Sequence, residues 1–398
     1  MLDEVLKSNI IGQDIQVIYP NGGTSIEEQA KNCIQQVSDY LNSVGYSSYQ
    51  IIKFNFFVKC NNNKVKSIID KSIIRIAQDF FVNFIPASII PEAPVDPYDL
   101  ILEATILPDL EKNKVAEGVS NNFHYLTAVT EKGKYIVACG LHFEMEFSDI
   151  HRQSIAAFEQ MQLILDNENL SYNNIVRQWN YIEDIVGNTN SNQHYQIFND
   201  VRSAYYNKSI FDNGYPSATG IGMSCAGVII DFIAFEPSAG TEIVAIKSPV
   251  QTDAHHYSKQ VLAENIQITE QTSTTPKFER AKIIINAEQG IVYVSGTAAI
   301  KGELSAQQYN VAQQTLLTFD NINALVSPKN LAEHGIPNVK KTEPQYFRVY
   351  LKNREDFKTI ESIVAKSAGT VPTVVIEADI CRPELLVEIE AIYSIKYR

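Results

Sequence analysis

The chain has 398 residues, 45% hydrophobic and 20% charged, ordinary values for a folded globular protein. Its formal net charge of −13, with no Lys/Arg cluster, argues against nucleic acid as a partner, because binding a polyanion needs a basic stripe. No run of about 18 apolar residues occurs, so no membrane span is expected, and the acidic start Met1-Leu2-Asp3-Glu4 lacks a secretory pattern.

Read along the chain, hydrophobic periodicity predicts a strand over Asp14–Tyr19 and a helix over Ser25–Val44, with Ile26, Ala30, Cys33, Ile34, Val37 and Leu41 at helical spacing. Ser25 and Glu28 have the spacing of a capping box. Strand Ile51–Val58, helix Val65–Phe81 and strands Ile85–Ile90 and Leu100–Thr105 follow. The same order returns as strand Tyr135–Gly140, helix Ser154–Asp166, strand Ile175–Ile182, helix Tyr195–Tyr206, and strands Tyr215–Gly220 and Val228–Ile233. It returns once more as strand Ile291–Gly296, helix Ser305–Ala324, strand Tyr346–Leu351, helix Asp356–Ala368, and strands Val371–Ile376 and Val387–Ile392. Glu111–His124, Lys247–Lys277 and Ser327–Pro344 fall outside this pattern; the middle segment is long enough for a functional loop.

An order β-α-β-α-β-β, three times over, predicts an α+β fold with helices on one face of mixed sheets. The expected domains are 1–130, 131–246, and 247–398, the last opening with the long loop. A proline recurs at the start of each closing strand, as Pro86, Pro216 and Pro372. An acid recurs in each last strand, as Glu103, Asp231 and Glu390. Glu388 shares a strand face with Glu390, but its counterparts are Ile101 and Ile229. The recurring acid is therefore expected to be architectural and the singular one catalytic. A carboxylic acid in an apolar cleft has a raised pKa and can donate a proton near neutrality.

Five cysteines, without a CxxC pair, argue for a reducing, cytoplasmic setting over a disulfide scaffold. The seven histidines show no metal-ligand spacing, so no metal is expected, and His255-His256 are expected to be solvated. No GxSxG elbow is present, which leaves Ser-His-Asp catalysis unsupported.

Tyr293-Val294-Ser295-Gly296-Thr297, the helix through Asp320-Asn321, and the ending Val387-Glu388-Ile389-Glu390-Ala391-Ile392 resemble the RidA/YjgF family. That family forms trimers with ligand clefts between subunits, so the resemblance implies a monomer built as a pseudo-trimer. The family's substrate-gripping arginine is absent from the three positions after Pro86, Pro216 and Pro372, which argues against imine deamination. A narrower resemblance covers most of residues 130–398. Gln178-Trp179-Asn180-Tyr181, Phe198-Asn199-Asp200-Val201-Arg202, Tyr215-Pro216-Ser217-Ala218-Thr219-Gly220-Ile221-Gly222, Pro276-Lys277-Phe278-Glu279-Arg280-Ala281 and the run from Cys381 to Glu390 are similar to chorismatases.

That resemblance implies conversion of chorismate to 3-hydroxybenzoate and pyruvate without a cofactor. Glu388 would protonate the enolpyruvyl methylene, with Cys381 lining the site. Arginine forks suit the substrate's two carboxylates, and Arg202, Arg280 and Arg348 are the candidates. Tyr215, Tyr257 and the Thr219-Gly220 turn are candidate donors, and Ala298 is expected to leave room for the ring. Hydrolysis to 3,4-dihydroxycyclohexa-1,5-diene carboxylate is the alternative within the same chemistry. A non-catalytic small-metabolite binder on the same fold is the alternative outside it.

Overall fold

The computed structural model describes residues 13–95, 97–143, 149–258 and 274–397. Part of the expected long loop, residues 259–273, therefore lies outside the described residues.

Unit one contains β1 (Asp14–Ile18), α1 (Ile26–Val44), β2 (Ile51–Val58), α2 (Asn63–Phe80), β3 (Ala87–Ile90) and β4 (Leu100–Ile106). A hairpin follows, β5 (Val115–Ser120) and β6 (Phe123–Thr130). Unit two continues with β7 (Gly133–Leu141), α3 (Ile150–Asn167), β8 (Ile175–Glu183), α4 (His194–Tyr206), β9 (Ser217–Met223) and β10 (Val228–Pro237). Unit three has β11 (Glu242–Ile246), β12 (Ala281–Ile285), β13 (Gln289–Ala298), α5 (Val311–Leu325), β14 (Val339–Leu351), α6 (Phe357–Ala368), β15 (Thr373–Glu377) and β16 (Val387–Tyr397).

The strand order demonstrates the repeat. The sheets run β1-β4-β2-β3, β9-β8-β10-β7-β6-β5 and β11-β12-β13-β16-β14-β15. Each thus places opening, last, second and closing strands side by side, and in each the second and closing strands pair in parallel. The fold is the expected α+β pseudo-trimer. Sheet membership shifts the seams, however. The hairpin at 115–130 pairs with the second sheet, β11 pairs with the third, and the short strand Ala93–Pro94 adds an edge to β15.

Helix ends moved where local hydrogen bonding outweighed pattern. Ser25 Oγ accepts the Glu28 N–H, but the Glu28 carboxylate takes the Thr24 N–H and hydroxyl instead of completing the box on Ser25. α5 begins at Val311, not Ser305, because Leu304–Ser305 pairs with Ile300–Lys301 across a turn at Gly302 (φ 60°). Asn310 and Gln313 then form the cap. α3 starts four residues earlier than expected, capped by Asp149.

Each sheet is buried on both faces. Along β2, Phe54 and Phe56 face the helices, whereas Ile52 and Phe57 face a central core shared with Ile101, Val137, Trp179 and Tyr293. Burying each such side chain contributes about 1.5–3 kcal/mol.

The recurring acids tie the units into a ring. Within each unit the acid faces one residue on the second strand: Glu103 opposite Asn55, Asp231 opposite Trp179, Glu390 opposite Arg348. Between units the bonds run cyclically. Asn55 Nδ2 donates to Asp231 (2.8 Å), Trp179 Nε1 to Glu390 (2.8 Å), and Arg348 Nε to Glu103 (3.0 Å). Three buried acids without partners would be prohibitive; here each is satisfied by its neighbour.

Candidate active site between units two and three

Glu388 lies on β16, opposite Ala298 of β13 and Tyr350 of β14. The pairing of β13 with β16 slips between Val294 and Thr297, a bulge that contains Gly296. A Cβ on Gly296 would come within 2.1 Å of Glu388 Oε1, so the glycine makes room for the carboxyl group. The Gly296 N–H is held by Thr219 Oγ1 of unit two (3.1 Å).

The pocket in front of Glu388 is walled by Tyr195, Gln196 and Asn199 from α4, by Gly296, Ala298 and Ile300, and by Tyr257, Phe278, Arg280, Cys381, Arg382 and Leu385. Its cavity volume is about 70 Å³, below the roughly 300 Å³ of usual ligand pockets. A ring-bearing ligand must therefore displace lining side chains.

Glu388 and Glu390 sit two residues apart in opposite electrostatic states. Glu388 is 5% exposed. Burial, helped by the neighbouring Glu390 charge, pushes its pKa up to about 8 against the pull of Arg177 and Arg280. It therefore carries its proton at neutral pH. Burial also acts on Glu390, but Arg348, Arg177, Thr219 and Trp179 outweigh it and hold that carboxyl below its usual range. Arg177 bonds Glu390 at 2.7 Å and Arg348 at 3.0 Å. Two carboxyl groups on one strand face are thus held in opposite protonation states, one protonated and one charged.

Of the residues singled out from sequence, Glu388, Cys381, Tyr257, Arg280 and Ala298 line the pocket. Burial, with Glu388 next in effect, pushes the Cys381 thiol up to about 12, so it stays protonated. Arg280 donates to the Tyr257 hydroxyl (2.8 Å) and the Thr252 carbonyl. Thr219 and Gly220 stand one layer back. The Thr219 hydroxyl is taken by Glu390 and Arg177, and a Cβ on Gly220 would meet the Tyr195 ring at 2.9 Å.

Three residues are not brought to the pocket. Arg348 is spent on Glu103 and Glu390 at the centre of the molecule. Arg202 lies behind the wall and donates to Asn199. Tyr215 stacks on Tyr206 and meets the His255 ring edge-on. Sequence reading missed Tyr195, Asn199, Arg177 and Arg382. Arg382 stands within the Cys381–Glu390 run, five residues before β16, but residue type alone did not mark it. Its guanidinium bonds Ser305 Oγ (3.0 Å) and the Glu303 carbonyl (2.9 Å), with Tyr257 between it and Arg280.

Three cyclic α+β units, with Glu388 facing Arg280 and Arg382 in the cleft between the second and third, define the architecture, and comparison gives it a family likeness. A crystal structure of a chorismatase superposes with a TM-score of 0.66 at 19% identity, covering 96% of this chain and 99% of that one, which establishes the shared fold. Residues 112–234 match the family model described as chorismatase FkbO/Hyg5-like, N-terminal. The chain is 30% identical over 235 residues to a 3-hydroxybenzoate synthase of Streptomyces hygroscopicus, spanning 56% of this chain and 65% of that protein. It is 29% identical over 233 residues to a chorismatase of Streptomyces rapamycinicus, with the same shares. The match thus spans just under two thirds of these relatives. The chorismatase resemblance read from the sequence is found again in family model, relatives and fold.

Proposed function

We propose that this protein converts chorismate to 3-hydroxybenzoate and pyruvate in the cleft between units two and three. The observation that carries the reading is Glu388: a buried carboxylic acid, its pKa raised to about 8, in a pocket shared with Arg280 and Arg382. Chorismate offers two carboxylates for the two guanidinium groups and a vinyl ether for the acid. Protonation of the enolpyruvyl methylene by Glu388 gives an oxocarbenium ion. Capture of that cation by the ring hydroxyl, loss of pyruvate and rearomatisation yield hydroxybenzoate, with the proton returned to Glu388. The sum is an isomerisation into two fragments and consumes no water.

Cys381 on the pocket wall resembles the cysteine of the hydroxybenzoate-forming chorismatases, which favours capture by the ring hydroxyl over hydrolysis. The name of the Streptomyces hygroscopicus relative agrees with that product. Purified protein incubated with chorismate should release pyruvate and an aromatic acid in equal amounts, measured by a coupled pyruvate assay and chromatography. Absence of pyruvate would sink the reading. A diene carboxylate in place of the aromatic acid would leave the protonation step standing and replace the capture step.

A further inference from the structure

We propose that Asp253, His255 and His256 form a site for one divalent transition-metal ion of the zinc class, on the segment that carries Tyr257. Among the described residues, these three bring one candidate ligand atom each to within 4.8 Å of one another. Two imidazoles and a carboxylate are a donor set for zinc, cobalt or nickel, with further positions left for water.

The second observation concerns His255. Its ring nitrogen Nδ1 is buried with no hydrogen-bond partner among the described residues. A buried imidazole nitrogen left without a partner, beside a carboxylate and a second imidazole, has a donor atom to offer an ion. The expectation that both histidines are solvated fails for His255, whose ring packs on Tyr215 at 5.3 Å.

The charge balance also favours a cation. The Asp253 side chain is 10% exposed and lies 3.2 Å from the Lys247 ammonium and 3.7 Å from His256 Nδ1. Glu279, 4% exposed and with Oε2 unpartnered among the described residues, is a further buried carboxyl group close enough to interact with Asp253. Lys247 is 57% exposed and can swing into solvent, leaving the ion in its place. His256, 63% exposed, forms the open side through which an ion enters.

Such an ion would have a structural role at the cleft. Thr252 and Tyr257 flank the ligands, and both accept hydrogen bonds from Arg280. Fixing the turn between them fixes the direction of that guanidinium.

The test uses chelator-treated full-length protein titrated with Co²⁺ and followed by visible absorption, then displaced with Zn²⁺. We expect one ion per chain with d–d bands of an N/O site. His256→Ala and Asp253→Asn should each weaken binding at least tenfold, and Zn²⁺ should raise the thermal midpoint of the wild type but not of the variants. His124→Ala, which alters an exposed histidine elsewhere, should bind like wild type. Because His256 is exposed, its variant folds, and circular dichroism checks this. Lack of a Co²⁺ spectrum overturns the proposal, as does binding retained in both His256→Ala and Asp253→Asn. These readouts are independent of turnover, so they stand or fall apart from the proposed reaction.

Discussion

The cleft between units two and three and its two counterparts are walled by the same elements yet hold different chemistry. Each lies between the second helix of one unit and strands of the next. Between units one and two, the walls include Ala77, Phe81, Phe84, Cys139 and Gly140, with a volume of about 550 Å³. Between units three and one they include Tyr19, Ile101, Phe357, Val364 and Thr373, with about 500 Å³. Neither has a carboxyl group at the Glu388 position or an arginine on its wall. The small third pocket, about 70 Å³, holds the acid and two arginines. Volume is thus a poor guide to chemistry here; an isolated acid facing cations is a better one.

The sharpest way to break this contrast is Glu388→Gln. It should lower kcat for pyruvate release at least about 1000-fold while leaving chorismate affinity, read by calorimetry, nearly unchanged. If turnover survives, the singular acid is not the proton donor. Gly296→Ala should come next, at roughly a hundredfold loss, because its methyl group would occupy the place of Glu388 Oε1. Its far-UV spectrum should match the wild type; an unchanged kcat would show that the bulge is not holding the acid.

The pH profile sharpens the point. The reactive form of Glu388 is protonated, so kcat should fall as pH rises through about 8, approaching tenfold per unit beyond it. A flat profile to higher pH would contradict the assignment. The smallest effect concerns stability. Glu388 keeps its proton in the fold but loses it near its ordinary pKa when unfolded. Its favourable contribution is therefore complete at acid pH and is lost as pH rises through about 8. Glu388→Gln should consequently be more stable than wild type at pH 8 by roughly 1–4 kcal/mol, and equal to it at pH 4, in urea unfolding.

The repeat was legible because strand and helix periods, the prolines before the closing strands and the alternating acids all recur in register. The contrast between Glu388 and Ile101 or Ile229 needed only that alignment. What sequence could not supply was partnership. Arg348 has the type expected of a carboxylate binder, and it is one, but its carboxylate is Glu103, 245 residues away. Thr219 likewise sits beside the right strand while its hydroxyl is claimed by Glu390. Gly296 stands in the sequence as one letter of the Tyr293–Thr297 motif. Its value lies in the space its missing methyl leaves, which no pattern of letters records. The start of α5 was misplaced because Ser305 is a plausible cap, and nothing local announces the hairpin that uses it.

Joining the three units in one polypeptide has a consequence for how a hazardous group can be tolerated. In an assembly of identical subunits, every mutation is written three times, and an acid stripped of water would strain all interfaces at once. In a single chain, Glu388 can stand at one seam while Ile101 and Ile229 occupy the corresponding strand positions of the other two units. The cost of burying that carboxyl group is then incurred once per molecule instead of three times.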